Sequence, residues 1–339
     1  MVAVALMASL LGACGGDGGT VPSTQVTTPP AIAVQKPAGL FSSAPADTIY
    51  THPQLRGVLV RASWSSIEPS PGVFDFSALS RQIAAVKSHG KDWSLAIGAG
   101  GPGSPAWLMD TLGAKHITYL FRGNPMRLPL FWDEVVQQRM GQMVQRLAKE
   151  YGQEAGLKLV YVSQMTSNGI EGHLQGVNMS TFASAGYTDD KWVGAAKQVA
   201  GAFAQAFGDK AIAFEVHEVN GGASVPSRIM NDLWSDLKLG QRVGAAAWWV
   251  SGKVTYQSDL IKALTEYPGD KYGQLIGRSD ETTRFEGGDY RTAFTQAKSM
   301  GLRYIEPWPY EFGVGPQSAD GAWNVTFEDF NRWASERFH

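Results

Sequence analysis

Glutamates recur just past the ends of short apolar runs in this 339-residue chain. Glu171 lies in Thr166-Ser-Asn168-Gly-Ile-Glu171-Gly-His173, beyond the run 157–163. Glu215 ends Ala211-Ile-Ala-Phe-Glu and is followed by His217; Glu281 ends Gly277-Arg-Ser-Asp-Glu, with Glu286 farther along; Glu306 precedes Pro307 and Trp308. Paired carboxyls suit one kind of chemistry. A protonated carboxyl hands its proton to a leaving group, and an ionised one faces the positive charge that develops on the other side. The donor must hold its proton near neutral pH, so burial or a like-charged neighbour must raise its pKa. Taken singly, each of these carboxylates reads equally well as an ion-paired structural group. The 11 tryptophans add a second signal. Trp64, Trp107, Trp248 and Trp308 fall at or just after the ends of apolar runs, where a flat apolar indole face can stack on a ring-shaped ligand. Within a strand, residues two apart share a face. Glu215 therefore pairs with His217, and Glu306 with Trp308, whereas Trp248 and Trp249 point to opposite faces, so one of them at most should line a pocket.

The elements that must position these groups alternate regularly. Apolar runs at 57–64, 92–98, 117–121, 157–163, 211–216, 244–250, 272–278 and 302–307 read as strands. Between and after them, 76–89, 133–151, 189–207, 226–239, 259–267, 289–300 and 327–338 read as amphipathic helices, with Asp133 a candidate N-cap. About eight βα pairs in roughly 300 residues predict an α/β fold, a (β/α)8 TIM barrel in a single domain. No Gly-x-Gly-x-x-Gly follows a first strand, and Gly100-Gly-Pro-Gly103 lacks the Lys-Ser/Thr of a phosphate loop, so neither a dinucleotide nor a nucleotide fold is expected. In a barrel of this kind the active site lies at the C-terminal ends of the strands.

Composition narrows the function. With 44% hydrophobic residues the chain can build a large core, and a net charge of −2 without a basic run gives no footprint for nucleic acid. One cysteine, Cys14, and six scattered histidines offer no ligand spacing, so no metal and no cofactor are expected. Residues 1–13 are apolar and small, too short for a membrane span of about 20 residues, and read as a signal peptide. Leu11-Gly-Ala-Cys14 resembles the lipobox of bacterial lipoproteins, which implies acylation of Cys14 and a lipid-anchored place in the bacterial cell envelope, or secretion. Residues 14–40, rich in Gly, Pro, Thr and Ser, read as a flexible tether, and 41–339 as the barrel.

The stretch Trp64-Ser-Ser-Ile-Glu68-Pro-Ser-Pro-Gly72-Val-Phe-Asp-Phe76, followed by Pro105-Ala-Trp107-Leu108, resembles the first loops of clan A glycoside hydrolases, nearest to family 42 β-galactosidase-like barrels. The resemblance implies a retaining glycosidase with carboxylates at the ends of strands four and seven. It makes Glu171 the proton donor, a reading also supported by similarity of its glycine-flanked loop to that of β-amylase-like barrels. The clan carries an adjacent Asn-Glu at this place, whereas Asn168 here stands three residues before Glu171. The second carboxylate is expected in the order Glu281, Glu306, Glu286. Arg61, Trp64, Trp107, Asn168, His173, Glu215, His217, Trp248, Glu286 and Trp308 are the expected substrate-binding residues, and Glu68 reads as a residue that holds its loop. Carboxyls about 5–5.5 Å apart retain anomeric configuration and those about 6.5–9.5 Å apart invert it. The expected function is hydrolysis of O-glycosidic bonds in an oligo- or polysaccharide. The alternatives are a non-catalytic glycan-binding lipoprotein on a degenerate barrel and a polysaccharide lyase using Arg61 with His173, His217 or Tyr310.

Overall fold

The structure, a computed structural model, describes residues 34–338. The predicted signal segment and Cys14 lie outside the described residues. Ten strands are present among the described residues: β1 (Gly39–Ser42), β2 (Gly57–Ser63), β3 (Asp92–Gly98), β4 (His116–Phe121), β5 (Asn124–Pro129), β6 (Leu157–Tyr161), β7 (Ala211–Glu215), β8 (Val243–Val250), β9 (Lys271–Leu275) and β10 (Tyr304–Glu306). Eight of them close a parallel barrel in the order β1-β2-β3-β6-β7-β8-β9-β10, and β4 with β5 forms a separate antiparallel hairpin. The fold is an (α/β) TIM barrel, as its sequence periodicity predicts.

Strand alternation sorts each barrel residue to one of two cores. Leu59, Ala96, Leu159, Tyr161, Ala213, Ala246, Tyr272 and Tyr304 point inward. Alanines on β7 and β8 leave room for the rings contributed by the other strands, such as Phe41 and Tyr304, whose centroids are 4.5 Å apart. Each such ring contributes roughly 1.5–3 kcal/mol on burial, so the barrel centre is a packed plug and not a pore. The outward set, including Val58, Val60, Leu95, Ile97, Val160 and Ile212, packs under the helices. The helix Glu134–Tyr151 begins where its sequence indicates: Asp133 Oδ1 accepts from the Val135 and Val136 amides at 3.1 and 3.3 Å. These bonds satisfy two of the donors that a helix start leaves unpaired.

Two expectations about the barrel are corrected. The first barrel strand is β1, starting at Gly39 inside the segment read as tether, so 57–63 forms the second strand and 92–98 the third. Ile117–Phe121 is no barrel strand but one arm of the hairpin. The burial pattern gives the reason. His116–Phe121 alternates exposed and buried, as a strand with one face in water does, whereas every residue of β1, β7 and β8 is buried. β1 has four residues and follows a tether-like composition, which left no periodicity to read. One strand missed and one assigned in error cancel, so the numbering from the fourth strand onward stands.

The loops above β3 and β6 are stitched together by backbone bonds, from Ala99 N to Gly169 O (3.1 Å) and from Gly101 N to Thr166 O (3.3 Å). Gly100 makes this crossing feasible. Its φ is +58°, and a Cβ there would sit 2.1 Å from the Thr166 carbonyl oxygen. Gly100→Ala should therefore cost about 2–3 kcal/mol through left-handed strain and displacement of the β6 loop. An unchanged denaturation midpoint in this variant would show that the two loops are not locked at Gly100.

Candidate active site

A cleft of about 860 Å³ opens at the C-terminal ends of the strands. Its walls include Arg61 from β2, Glu171 and His173 from the loop after β6, Trp248 from β8, Gln274 from β9 and Trp308 beyond β10. Each of the strand-borne groups continues the inward-facing row of its strand: Arg61 follows Leu59, Trp248 follows Ala246, and Gln274 follows Tyr272.

Glu171 is aimed by its own loop. Asn168 Oδ1 accepts from the amides of Ile170 (3.2 Å) and Glu171 (2.9 Å), while its Nδ2 donates to Glu171 Oε1 at 2.5 Å. The three-residue spacing thus makes an Asx turn that ties the carboxyl to its own backbone. The side chain stays 27% exposed, enough to meet a ligand. Burial, reinforced by the nearby Glu215, pushes the Glu171 carboxyl up to about 7.

Glu215 and His217 support it from below. Glu215 is fully enclosed, accepting the Gly172 amide at 2.6 Å and the Trp248 amide at 2.9 Å, and burial lifts its proton affinity well above the usual carboxylate range. Its Oε2 lies 2.9 Å from His217 Nδ1, and burial lowers His217 to about 4. One arrangement meets both tendencies: Glu215 keeps its proton and donates to Nδ1, and the neutral imidazole carries its own proton on Nε2. That nitrogen faces Glu171 Oε2 at 3.9 Å, beyond hydrogen-bond range but aimed at the carboxylate that proton transfer would create. His173, its ring 5.3 Å from that of His217, is lowered to about 3, again by burial first.

Glu306 lies beneath the floor. It accepts from Tyr161 Oη (3.0 Å), Gln274 Nε2 (2.7 Å) and the Tyr304 hydroxyl. Burial raises it to about 7, and these donors together with the Arg61 charge pull the other way without overcoming it. The other predicted partner carboxylates are elsewhere. Glu281 is exposed, binding Arg284 Nε at 3.3 Å and the Arg278 amide at 3.0 Å, and Glu286 is exposed on the following turn. The reason is strand length. β9 ends at Leu275, not at 278, so the strand-seven tip belongs to Gln274 and Glu281 falls on the outer loop.

The tryptophans divide. Trp64 is fully buried and donates to Glu68 Oε2 at 2.7 Å; Trp107 stands against it and donates to the Glu68 carbonyl at 2.9 Å. Neither borders the cleft, and with the Gly72 amide and Arg139 they form the framework of the Glu68 loop. Trp308 and Trp248 do line the cleft, and so does Trp249, which strict alternation turns away. Alternation itself holds: Trp248 packs with the inward-facing barrel residues and Trp249 with the outward set, its indole donating to the Val216 carbonyl at 2.8 Å beside the cleft. Gln274, Tyr256 and Arg122 are among the cleft residues that went unnoticed in the sequence. Gln274 was legible from its parity with Tyr272. Arg122 depends on Phe121-Arg-Gly-Asn124 being a hairpin turn, which its apolar flank does not announce.

Residues 55–173 match the sequence model of the Glyco_hydro_42 family, described as beta-galactosidase. Over that third of the chain the protein is similar to glycoside hydrolase family 42. The match runs past the first loops to Glu171 and His173, and with the closed barrel it supports a glycoside hydrolase of the clan A architecture. Solved structures share the fold. The catalytic domain of a β-amylase from Paenibacillus polymyxa superposes with a TM-score of 0.61 at 11% identity, covering 89% of this chain and all of the other. Endo-glycoceramidase II from Rhodococcus sp. gives 0.54 at 14% identity, over 88% of this chain and 80% of its own. An endo-β-1,4-glucanase from Xanthomonas axonopodis pv. citri gives 0.53 at 11%, over 88% and 94%. No curated protein sequence matches the chain.

Glu306 also bears on stability. It ionises near the ordinary 4.5 when unfolded and near 7 when folded, so the folded state loses stability relative to the unfolded one as pH rises through that interval. Glu306→Gln removes this loss, because Gln274 can turn its amide oxygen toward the new amide. The variant should gain melting temperature on the wild type steadily between pH 4.5 and 7. A constant difference across that range would show that Glu306 ionises normally in the fold.

Proposed function

We propose that the protein is a glycoside hydrolase acting on an oligo- or polysaccharide, with Glu171 as the proton donor. The supporting observation is that Glu171 alone among the cleft-lining residues is a carboxyl, and its surroundings keep it protonated to about pH 7. A glycan lying over Trp248 and Trp308 would bring its glycosidic oxygen to that proton. As the bond breaks, the leaving group takes the proton, and the Glu171 carboxylate keeps the Asn168 Nδ2 donor on Oε1 and has His217 Nε2–H facing Oε2, while the sugar carbon turns oxocarbenium-like. Glu306 is the charge best placed to meet that centre, being bonded to Gln274 on the cleft floor. Retention is the stereochemical outcome proposed, on the family resemblance; it requires Gln274 to swing aside so that Glu306 bonds to the anomeric carbon, after which a water gives its proton to the Glu171 carboxylate, displaces Glu306 and releases the sugar. The lipobox reading puts the enzyme at the cell envelope through Cys14.

A second reading keeps the glycan and drops the cleavage. Its support is Gln274, an amide at the strand-seven tip where the clan pattern calls for a carboxylate. The two readings part on Glu171→Gln, assayed on a panel of plant and bacterial glycans. Hydrolysis predicts a turnover loss of about 10²–10⁴-fold with binding retained. It also predicts a narrow kcat/KM bell near pH 7, since Glu171 must be protonated and Glu306 ionised, and both sit near 7. Wild-type turnover unaffected by Glu171→Gln would remove Glu171 as the acid. Binding without release of reducing ends from any glycan would favour the second reading.

A further inference from the structure

Two arginines reach the cleft without a carboxylate in ion-pair contact, although Arg61 acts at a distance on Glu306 and Arg122 on Glu171. Among the described residues neither Arg61 nor Arg122 makes an ion pair, whereas Arg284, on the same wall, is held by Glu281 and by the Ile276 carbonyl oxygen at 2.7 Å. Arg61 comes from the inward face of β2 and shares its field with the buried Glu306 beneath it. Arg122 comes from outside the barrel, at the tip of the β4–β5 hairpin. Phe121 pairs with Asn124, so Arg122 and Gly123 form a two-residue turn, with φ of 52° and 80°. Asn, Asp or Gly is the usual first residue of such a turn, and an arginine held left-handed there calls for a reason.

The hairpin is fixed over the cleft. Tyr119 Oη donates to the Ser167 carbonyl at 2.7 Å, and the Phe121 ring stacks against His173 at 6.3 Å. Nothing else on the wall offsets the two cations. Glu171 is the sole lining carboxyl, and burial disfavours its charge and those of both histidines. The space also suits a chain more than a single ring. A cavity of about 350 Å³ shares Arg61, Asn168 and Ile170 with the cleft, and one of about 360 Å³ shares Trp308, so hollows continue on both sides.

Building on the glycan-site reading, we propose that the ligand is an acidic glycan chain, with uronate carboxylates met by Arg61 and Arg122. Guanidinium and carboxylate match in geometry, and their charge-assisted bonds are the strong ones. A neutral glycan would leave both cations facing only hydroxyl groups.

The test is calorimetric titration of the purified protein with oligouronides of galacturonate, glucuronate and mannuronate, each beside the same oligomer with its carboxyls reduced to alcohols. At least one acidic oligomer should bind about tenfold or more tightly than its reduced twin, and the preference should shrink with added salt. Arg122→Ala, on an exposed turn, should erase most of the preference, and Arg122→Lys should restore part of it. Arg61→Gln should act in the same direction, with melting curves checking its fold. Equal binding of the reduced twins, full preference in Arg122→Ala, or no binding of any acidic oligomer would each overturn the proposal. Failure here is separable from failure of the hydrolase reading. Cleavage of a neutral glycan that depends on Glu171 would sink the acidic ligand alone, whereas tight uronide binding with no cleavage, unchanged by Glu171→Gln, would sink hydrolysis alone.

Discussion

Desolvation of carboxyl groups is the constraint that organises this molecule. Closing eight parallel strands into a barrel brings their ends to one rim and removes water from whatever those ends carry. Glu171, Glu215 and Glu306 are all affected, and in each case burial is the largest influence on the proton. The hydrogen bonds around them are numerous yet come second. Glu306 accepts from two tyrosines and a glutamine and is still pushed up to about 7, because neutral donors return only part of what hydration supplied. Glu68 has different surroundings. It is equally enclosed, but Arg139 stands against it, and its backbone and indole donors complete a loop framework outside the cleft. A buried carboxyl with a cation in contact is suited to holding structure; one whose direct partners are neutral is suited to handling a proton.

The same constraint explains how the support of Glu171 is layered. A carboxyl that must lose its proton in a dry site needs a partner for the resulting charge, yet a permanent cation in contact would strip the proton beforehand. His217 meets both demands by remaining neutral and standing 3.9 Å away, with Glu215 fixing its ring from behind. Asn168 adds one neutral donor and the turn that fixes the backbone. The substituted Asn-to-Glu spacing is therefore a different way of holding the group, through a local turn in place of a side chain on the strand.

What could be read in the sequence follows from how local each signal is. The barrel was legible because βα alternation repeats along the chain, and the Glu171 loop because its glycines and Asn168 lie within a few residues of one another. The hairpin was not, since Ile117–Phe121 has the apolar content of a barrel strand and only its burial pattern distinguishes it. β1 escaped because four residues are too few to show a period. Strand ends were the costly errors. Extending β9 by three residues moved the expected carboxylate from the axis to Glu281 on the outer loop. Parity inside strands proved dependable: it puts Arg61, Gln274 and Glu306 on the barrel axis from three different strands, and sorts Trp248 and Trp249 to different cores.

Gln274 is where these considerations meet. An amide at the strand-seven tip can donate to Glu306 and still face the cleft, as a carboxylate in the same place could not without setting two like charges side by side in a dry site. Placing the acid one strand over, on β10, and screening it with a neutral amide separates its charge from that of Glu171 while leaving it on the axis. The cost is access: Glu306 lies under the amide and is held by hydroxyls on its other oxygen. Whether that charge acts through Gln274 or is uncovered by it depends on one side-chain torsion, because the amide has no other partner fixing it in place among the described residues. A ligand whose hydroxyls bind the amide more strongly than Glu306 does would therefore draw it upward and open the carboxylate at the moment the cleft is filled.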